Sequence, residues 1–143
     1  MLDGVMLTNM LTHALKKRFK KIRLVEFYKR ADGTKPVAEW LEQLDDDRAQ
    51  SVAMGVRFFE EYPNPVVPKK FFEKVTDHIW EIKTHHGKEQ FRLLSFIEDH
   101  AIIIAVHGIA KKSMELKKQE MDLAEDRRKD YLQRKSRKKN DSP

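Results

Sequence analysis

The chain has no cysteine among its 143 residues. Disulfides and thiolate–zinc sites are therefore excluded, as suits a reducing compartment. Its five glycines form no phosphate-binding loop, no G-x-S-x-G elbow and no dinucleotide fingerprint, and no H-E-x-x-H pattern occurs. No apolar run approaches the ~20 residues of a membrane-spanning helix. The first twenty residues lack a signal peptide's order of basic, apolar and small-residue segments. A cytoplasmic location with no membrane partner is expected. An excess of acid is missing too: 29 Lys and Arg stand against 23 Asp and Glu, a net charge of +6. That balance favours a polyanionic partner such as nucleic acid, or an acidic protein.

The length suits one domain with its own core. Cationic residues concentrate at both ends. Residues 1–20 read as a basic amphipathic helix or extension, with Met6, Met10, Leu11, Ala14 and Leu15 on one face. Residues 134–143 carry RKSRKK and read as a basic disordered tail. Between them, 21–133 reads as the folded domain.

KIRLVEFY at 21–28 alternates as a strand. Thr34 is a candidate N-cap with Pro36 just inside a short helix over 35–44. Asp45 or Asp46 caps a second helix that ends near Tyr62, because Pro63, Pro65 and Pro68 cannot continue it. An irregular connector follows. Strands are expected at about 77–84, 89–97 and 100–107, and a polar final helix at about 115–133. The order is β-α-α-β-β-β-α. This is an α+β domain in which a helical hairpin covers one face of a small antiparallel sheet.

A two-residue turn at His86-Gly87 pairs Lys83 with Gln90 and Glu81 with Arg92. If Glu98-Asp99 is the next loop, Arg92 pairs with Ala105 and Gln90 with His107. A four-residue loop at 98–101 puts Arg92 opposite His107 instead, and a three-residue loop flips the last strand. With an even loop, Glu81, Lys83, Gln90, Arg92, Ala105 and His107 share one face. Trp80, Ile82, Phe91, Leu93, Ile102, Ile104 and Val106 then share the other, under the hairpin. The cationic face keeps an apolar part at Ile79, Leu94 and Ile103. It could pack the last helix, hold a base or take a partner.

Such a face fits metal-free cleavage of RNA. The ribose 2′-OH attacks the adjacent phosphorus, a base takes its proton, an acid protonates the leaving 5′ oxygen, and cations stabilise the phosphorane. Histidine serves as acid or base near neutrality; Arg grips phosphate bidentately and Lys supplies a point charge. Singly, each residue also has a bland reading: His107 as a structural residue at a strand end, Lys83 and Arg92 as partners of nearby carboxylates. His78, His85, His86, His100 and His107 raise a metal site, but adjacent His85 and His86 point to opposite sides of a strand. No metal and no cofactor are expected.

Several of these segments resemble the RelE/HigB-type toxins, in the subgroup of phage-derived addiction-module killer proteins. They are Trp80-Glu81-Ile82-Lys83, Phe91-Arg92-Leu93-Leu94, His107-Gly108-Ile109-Ala110-Lys111-Lys112, and a charged helix with Ala124, Arg127 and Tyr131. The resemblance spans about 21–132. It implies a RelE-like fold, a ribosome-dependent mRNA endonuclease, and a cognate helix-turn-helix antitoxin through which operator DNA could also be bound. It implies that Lys83, Arg92 and His107 are catalytic and that Lys111, Lys112 and Gln90 bind RNA, with Glu81 and Tyr131 as further candidates. Lys83 stands where the family has arginine, Ile109 where it has phenylalanine, and the twenty-residue N-terminal extension is unusual. The alternative is a non-catalytic nucleic-acid-binding or phage accessory protein on a toxin-like scaffold.

Overall fold

In a computed structural model, the described residues are Gly4, 21–111 and 117–140. The extension over 1–20 lies outside them apart from Gly4. Five strands and three helices follow in the order β1 (Leu24–Phe27), α1 (Pro36–Gln43), α2 (Asp46–Glu61), β2 (Phe72–Lys74), β3 (Trp80–His86), β4 (Glu89–Asp99), β5 (Ile102–Lys111), α3 (Lys118–Asn140). They form an α+β domain around one sheet of strand order β1-β5-β4-β3-β2.

The sheet is mixed, not antiparallel throughout. β1 runs parallel to β5, with Leu24 beside Ile102 and Phe27 beside Ala105. The connector also yields a short strand that the prolines around it obscure. β2 pairs antiparallel with β3, and Phe72 stacks on Trp80 with ring centroids 4.7 Å apart.

Local chemistry sets the helix ends. Asp45 caps α2, accepting from the Arg48 N–H at 2.8 Å. Thr34 does not cap α1. Its N–H and hydroxyl both donate to Asp32 Oδ1 in an Asx turn, and Lys35 becomes the N-cap before Pro36. At the end of α2 the orphan carbonyls find buried Arg23, which donates to Phe59 O at 2.6 Å, Tyr62 O at 3.1 Å and Asn64 O at 2.9 Å. α3 extends to Asn140 and takes in the RKSRKK stretch, which composition alone assigns to a disordered tail.

Two cores lie on opposite faces of the sheet. Under the helical hairpin, Ile82, Phe91, Leu93, Ile103 and Ala105 meet Val37, Val52 and Phe59. On the other face α3 inserts Ala124 among Tyr28, Ile79, Leu94, Phe96, Ile104 and Val106. Ile79 and Leu94, two of the three apolar residues expected on the cationic face, are thus covered by the last helix.

The register differs from expectation in two places. The β3–β4 turn is Gly87-Lys88, so Lys83 lies opposite Arg92, and His85 opposite Gln90. Gly87 has φ +59° and no non-glycine residue among those described has positive φ. That is a turn with glycine at its first central position; one centred on His86-Gly87 with both residues at positive φ would strain His86. The pairing slides by two, so the faces survive. On β5, Leu94 faces His107 but Ser95 faces Ala105. This bulge leaves Val106 as an extra residue and reverses the alternation before it. Ile104 and Val106 therefore pack under α3, while Ala105 and Ile103 turn to the hairpin, opposite to the assignment of all four from a regular strand.

Candidate nucleic-acid interface

The α3 side of the sheet carries a polar end beyond its apolar part. Lys83 on β3 and Arg92 on β4 are direct cross-strand partners, and Arg92 faces Ile109 on β5. His107 sits diagonally across from Arg92, about 7–8 Å away at the backbone. Gln90 pairs with Lys111. Lys83, Gln90, Arg92 and His107 thus share one face. The side chain of Lys111 and the whole of Lys112 lie outside the described residues.

Arg92 is buried, at 5% exposure, and so is Glu81, at 4%. Arg92 Nη1 donates to Glu81 Oε1 at 2.6 Å and Nη2 to Gln90 Oε1 at 2.7 Å. Glu81 Oε2 and Arg92 Nε have no hydrogen-bond partner among the described residues. Lys83 Nζ lies 3.2 Å from Glu73 Oε1 and 3.7 Å from Glu81 Oε1. Two cations and two carboxylates therefore interlock. Buried charges are tolerated only when paired in this way.

His107 is half-buried beside residues of α3. Its Nε2 is 3.5 Å from Glu120 Oε2, and its Nδ1 is 3.5 Å from Arg127 Nη1. Arg127 is fixed by donating to Val106 O at 2.7 Å, so the bulge residue anchors it. Burial pushes the imidazole pKa below its usual value; Glu120 pulls it up and Arg127 pushes it down. The net direction leaves His107 neutral at pH 7, able to accept a proton. Burial likewise lowers the Arg127 pKa.

Gly108, next to His107, has a packing role. A Cβ there would stand 2.2 Å from Trp40 Cε3, so the indole of α1 rests directly on the β5 backbone.

Tyr131 is not part of this group. It lies one helical turn beyond Arg127, edge-on to Phe96 with centroids 5.4 Å apart. Burial and Glu26 raise its pKa, which keeps the phenol protonated. Of the other histidines, His86 Nδ1 lies 2.8 Å from Ser51 Oγ. No group of three or more metal-ligating side chains occurs among the described residues. Glu120 and Arg127 had no assigned role from sequence. Their signal was the spacing Glu120, Ala124, Arg127, Tyr131, one helical face, but only the burial of Ala124 shows which way it points.

The model of one family, phage derived protein Gp49-like (DUF891), matches residues 39–129, from α1 through the first half of α3. The chain belongs to that family. The Gp49-like family is associated with toxin–antitoxin toxins. No curated protein matches the chain. The matched span includes β3, β4, β5 and all the described polar residues of the face. No helix among the described residues is long and apolar enough to cross a membrane.

Proposed function

We propose that this Gp49-like chain is the toxin of a toxin–antitoxin module and an endoribonuclease that cuts mRNA in the ribosome without a metal. The observation that carries the reading is His107, held between Glu120 and Arg127 on the same sheet face as Arg92 and Lys83. Family membership supports it.

His107, neutral at working pH, takes the 2′-OH proton of the substrate ribose. The 2′ oxygen bonds to the adjacent phosphorus and the bond from phosphorus to the 5′ oxygen breaks. The leaving oxygen takes up a proton from water, giving a 2′,3′-cyclic phosphate and a 5′-OH end. Arg127, already beside His107, and Lys83 and Arg92 offset the charge gathering on the phosphorane. Glu81 and Gln90 hold the Arg92 guanidinium in place. Lys111 and Lys112 bind the RNA backbone. A helix-turn-helix antitoxin silences the toxin in the cytoplasm and couples it to operator DNA.

The burial of Arg92 against Glu81 favours a second reading, in which Arg92 is structural and the protein binds nucleic acid without cutting it. Induction in a bacterial host, with mapping of mRNA 5′ ends, separates the two. Growth arrest with new ends inside translated frames, lost in His107→Ala and in Arg127→Met with the protein still folded, is the expected result. Normal growth without new ends, from soluble folded protein, would refute the endonuclease.

A further inference from the structure

A groove of about 500 Å³ runs along the outer edge of β1, between the start of α1 and the second half of α3. Its walls are Val25, Glu26, Phe27, Lys29, Lys35, Tyr131 and Arg134. β1 is an edge strand of the sheet, so no further strand among the described residues covers this side. Two aromatic rings and three cations meet there, with one carboxylate. Lys29 and Lys35 are exposed, and neither ammonium has an ion-pair partner among the described residues. Most arginines of the fold, by contrast, are engaged by carboxylates: Arg30 by Glu39, Arg48 by Asp45 and Glu89, Arg57 by Glu61, Arg92 by Glu81.

The third cation is held in place. Arg134 pairs with Asp130 at 2.7 Å, lies over the Tyr28 ring at 5.5 Å and donates to Lys29 O. Asp130 in turn accepts from the Tyr28 hydroxyl at 2.5 Å. This network fixes α3 against the segment that carries Lys29. It therefore sets the spacing between the free ammonium groups and the Tyr131 ring. Arg127, Tyr131, Arg134 and Lys138 follow at i, i+4, i+7 and i+11, one face of α3 about 16 Å long. That face begins at His107 and ends beyond the groove.

We propose that this groove binds single-stranded nucleic acid, with bases against Tyr131 and Phe27 and phosphates on Lys29, Lys35 and Arg134. Aromatic faces within a cationic groove are how proteins hold single strands without reading sequence. An acidic peptide would use the cations but not the rings. The inference goes beyond the endonuclease reading and does not rest on it, because binding here requires no cleavage.

The test is fluorescence anisotropy of the full chain with labelled 12-mers of oligo(dT) and oligo(U), titrated across salt concentrations. Oligo(dT) has no 2′-OH and cannot be cut by 2′ attack, so it stays intact through the titration whether or not the chain is a nuclease, and the comparison of the two lysine pairs assigns its binding to the groove. Lys29→Ala/Lys35→Ala removes two phosphate contacts, and the slope of log K against log salt falls by about 1.4. Lys69→Ala/Lys70→Ala removes the same charge from exposed lysines of the β2 approach and leaves the slope unchanged. Tyr131→Leu weakens binding by about tenfold or more, and Tyr131→Phe restores it. Equal losses in both lysine pairs would mean diffuse attraction and overturn the proposal. A labelled oligoglutamate 12-mer that binds as tightly, with the same dependence on Lys29 and Lys35, would overturn it as well.

Discussion

Replacing Arg92 by alanine should unfold a large part of the stability margin, apart from any loss of catalysis. Arg92 and Glu81 form a contact of 2.6 Å with both side chains at 6% exposure. Removing the guanidinium leaves a carboxylate in the sheet whose Oε2 already lacks a partner among the described residues. Breaking such a buried pair costs about 3–5 kcal/mol. Lys83 Nζ, 3.7 Å from Glu81 Oε1, remains as partial compensation. The loss for Arg92→Ala should therefore lie near the lower end, about 3 kcal/mol, or about 10 °C in Tm. Glu81→Ala strands the arginine with Gln90 alone and should cost about 4 kcal/mol. The double variant Glu81→Leu/Arg92→Leu removes both charges and should lie within about 2 kcal/mol of the parent chain. Urea denaturation followed by circular dichroism measures all three, and the double variant should cost at least about 5 kcal/mol less than the two single losses added together. Arg92→Ala within about 1 kcal/mol of the parent would refute the argument, since the pair would then not be holding a charge in the core. The result also decides how activity is read. If Arg92→Ala costs this much, its inactivity reports folding as much as catalysis, and only folded protein is informative.

The imidazole of His107, with its pKa below the usual value of about 6.5 through burial, should make the domain less stable as pH falls from about 6.5 toward that lowered value, because only the unfolded chain is protonated in this window; the contribution is fully present above it. An NMR titration of the His107 ring should show the lowered pKa, and Glu120→Gln should lower it further by removing the one group that raises it; a rise in Glu120→Gln would contradict the assignment. Gly108→Ala should cost about 1–3 kcal/mol by driving a methyl into the Trp40 ring, read as a lower urea midpoint, and Trp40→Leu should tolerate the same alanine; equal costs in both backgrounds would show that the contact is not the cause.

The sequence alone determined the elements whose signals are local. The spacing of Val37, Trp40, Leu41 and Leu44 marks α1, the carboxylate of Asp45 caps α2, and the prolines after Tyr62 stop it. The alternation in β3 and β4 placed Ile82, Phe91 and Leu93 under the hairpin and Lys83 and Arg92 together on the other face, and this holds because a register slide of two leaves the faces intact. The β2 strand escaped notice because three residues are too few to show a period. The parallel pairing of β1 joins residues almost eighty positions apart, and no local pattern encodes it. The bulge at Val106 was equally hidden, since an inserted residue is defined only against the strand it pairs with. The site followed the same division. Residue chemistry and family-like motifs picked out Lys83, Arg92 and His107. Only tertiary packing buried Arg92 against Glu81 and, by seating Ala124 on the sheet, brought Glu120 and Arg127 to His107. Which groups are neighbours, and which are dry, depends on distances that close only when the layers meet, and those distances set charge pairing and pKa.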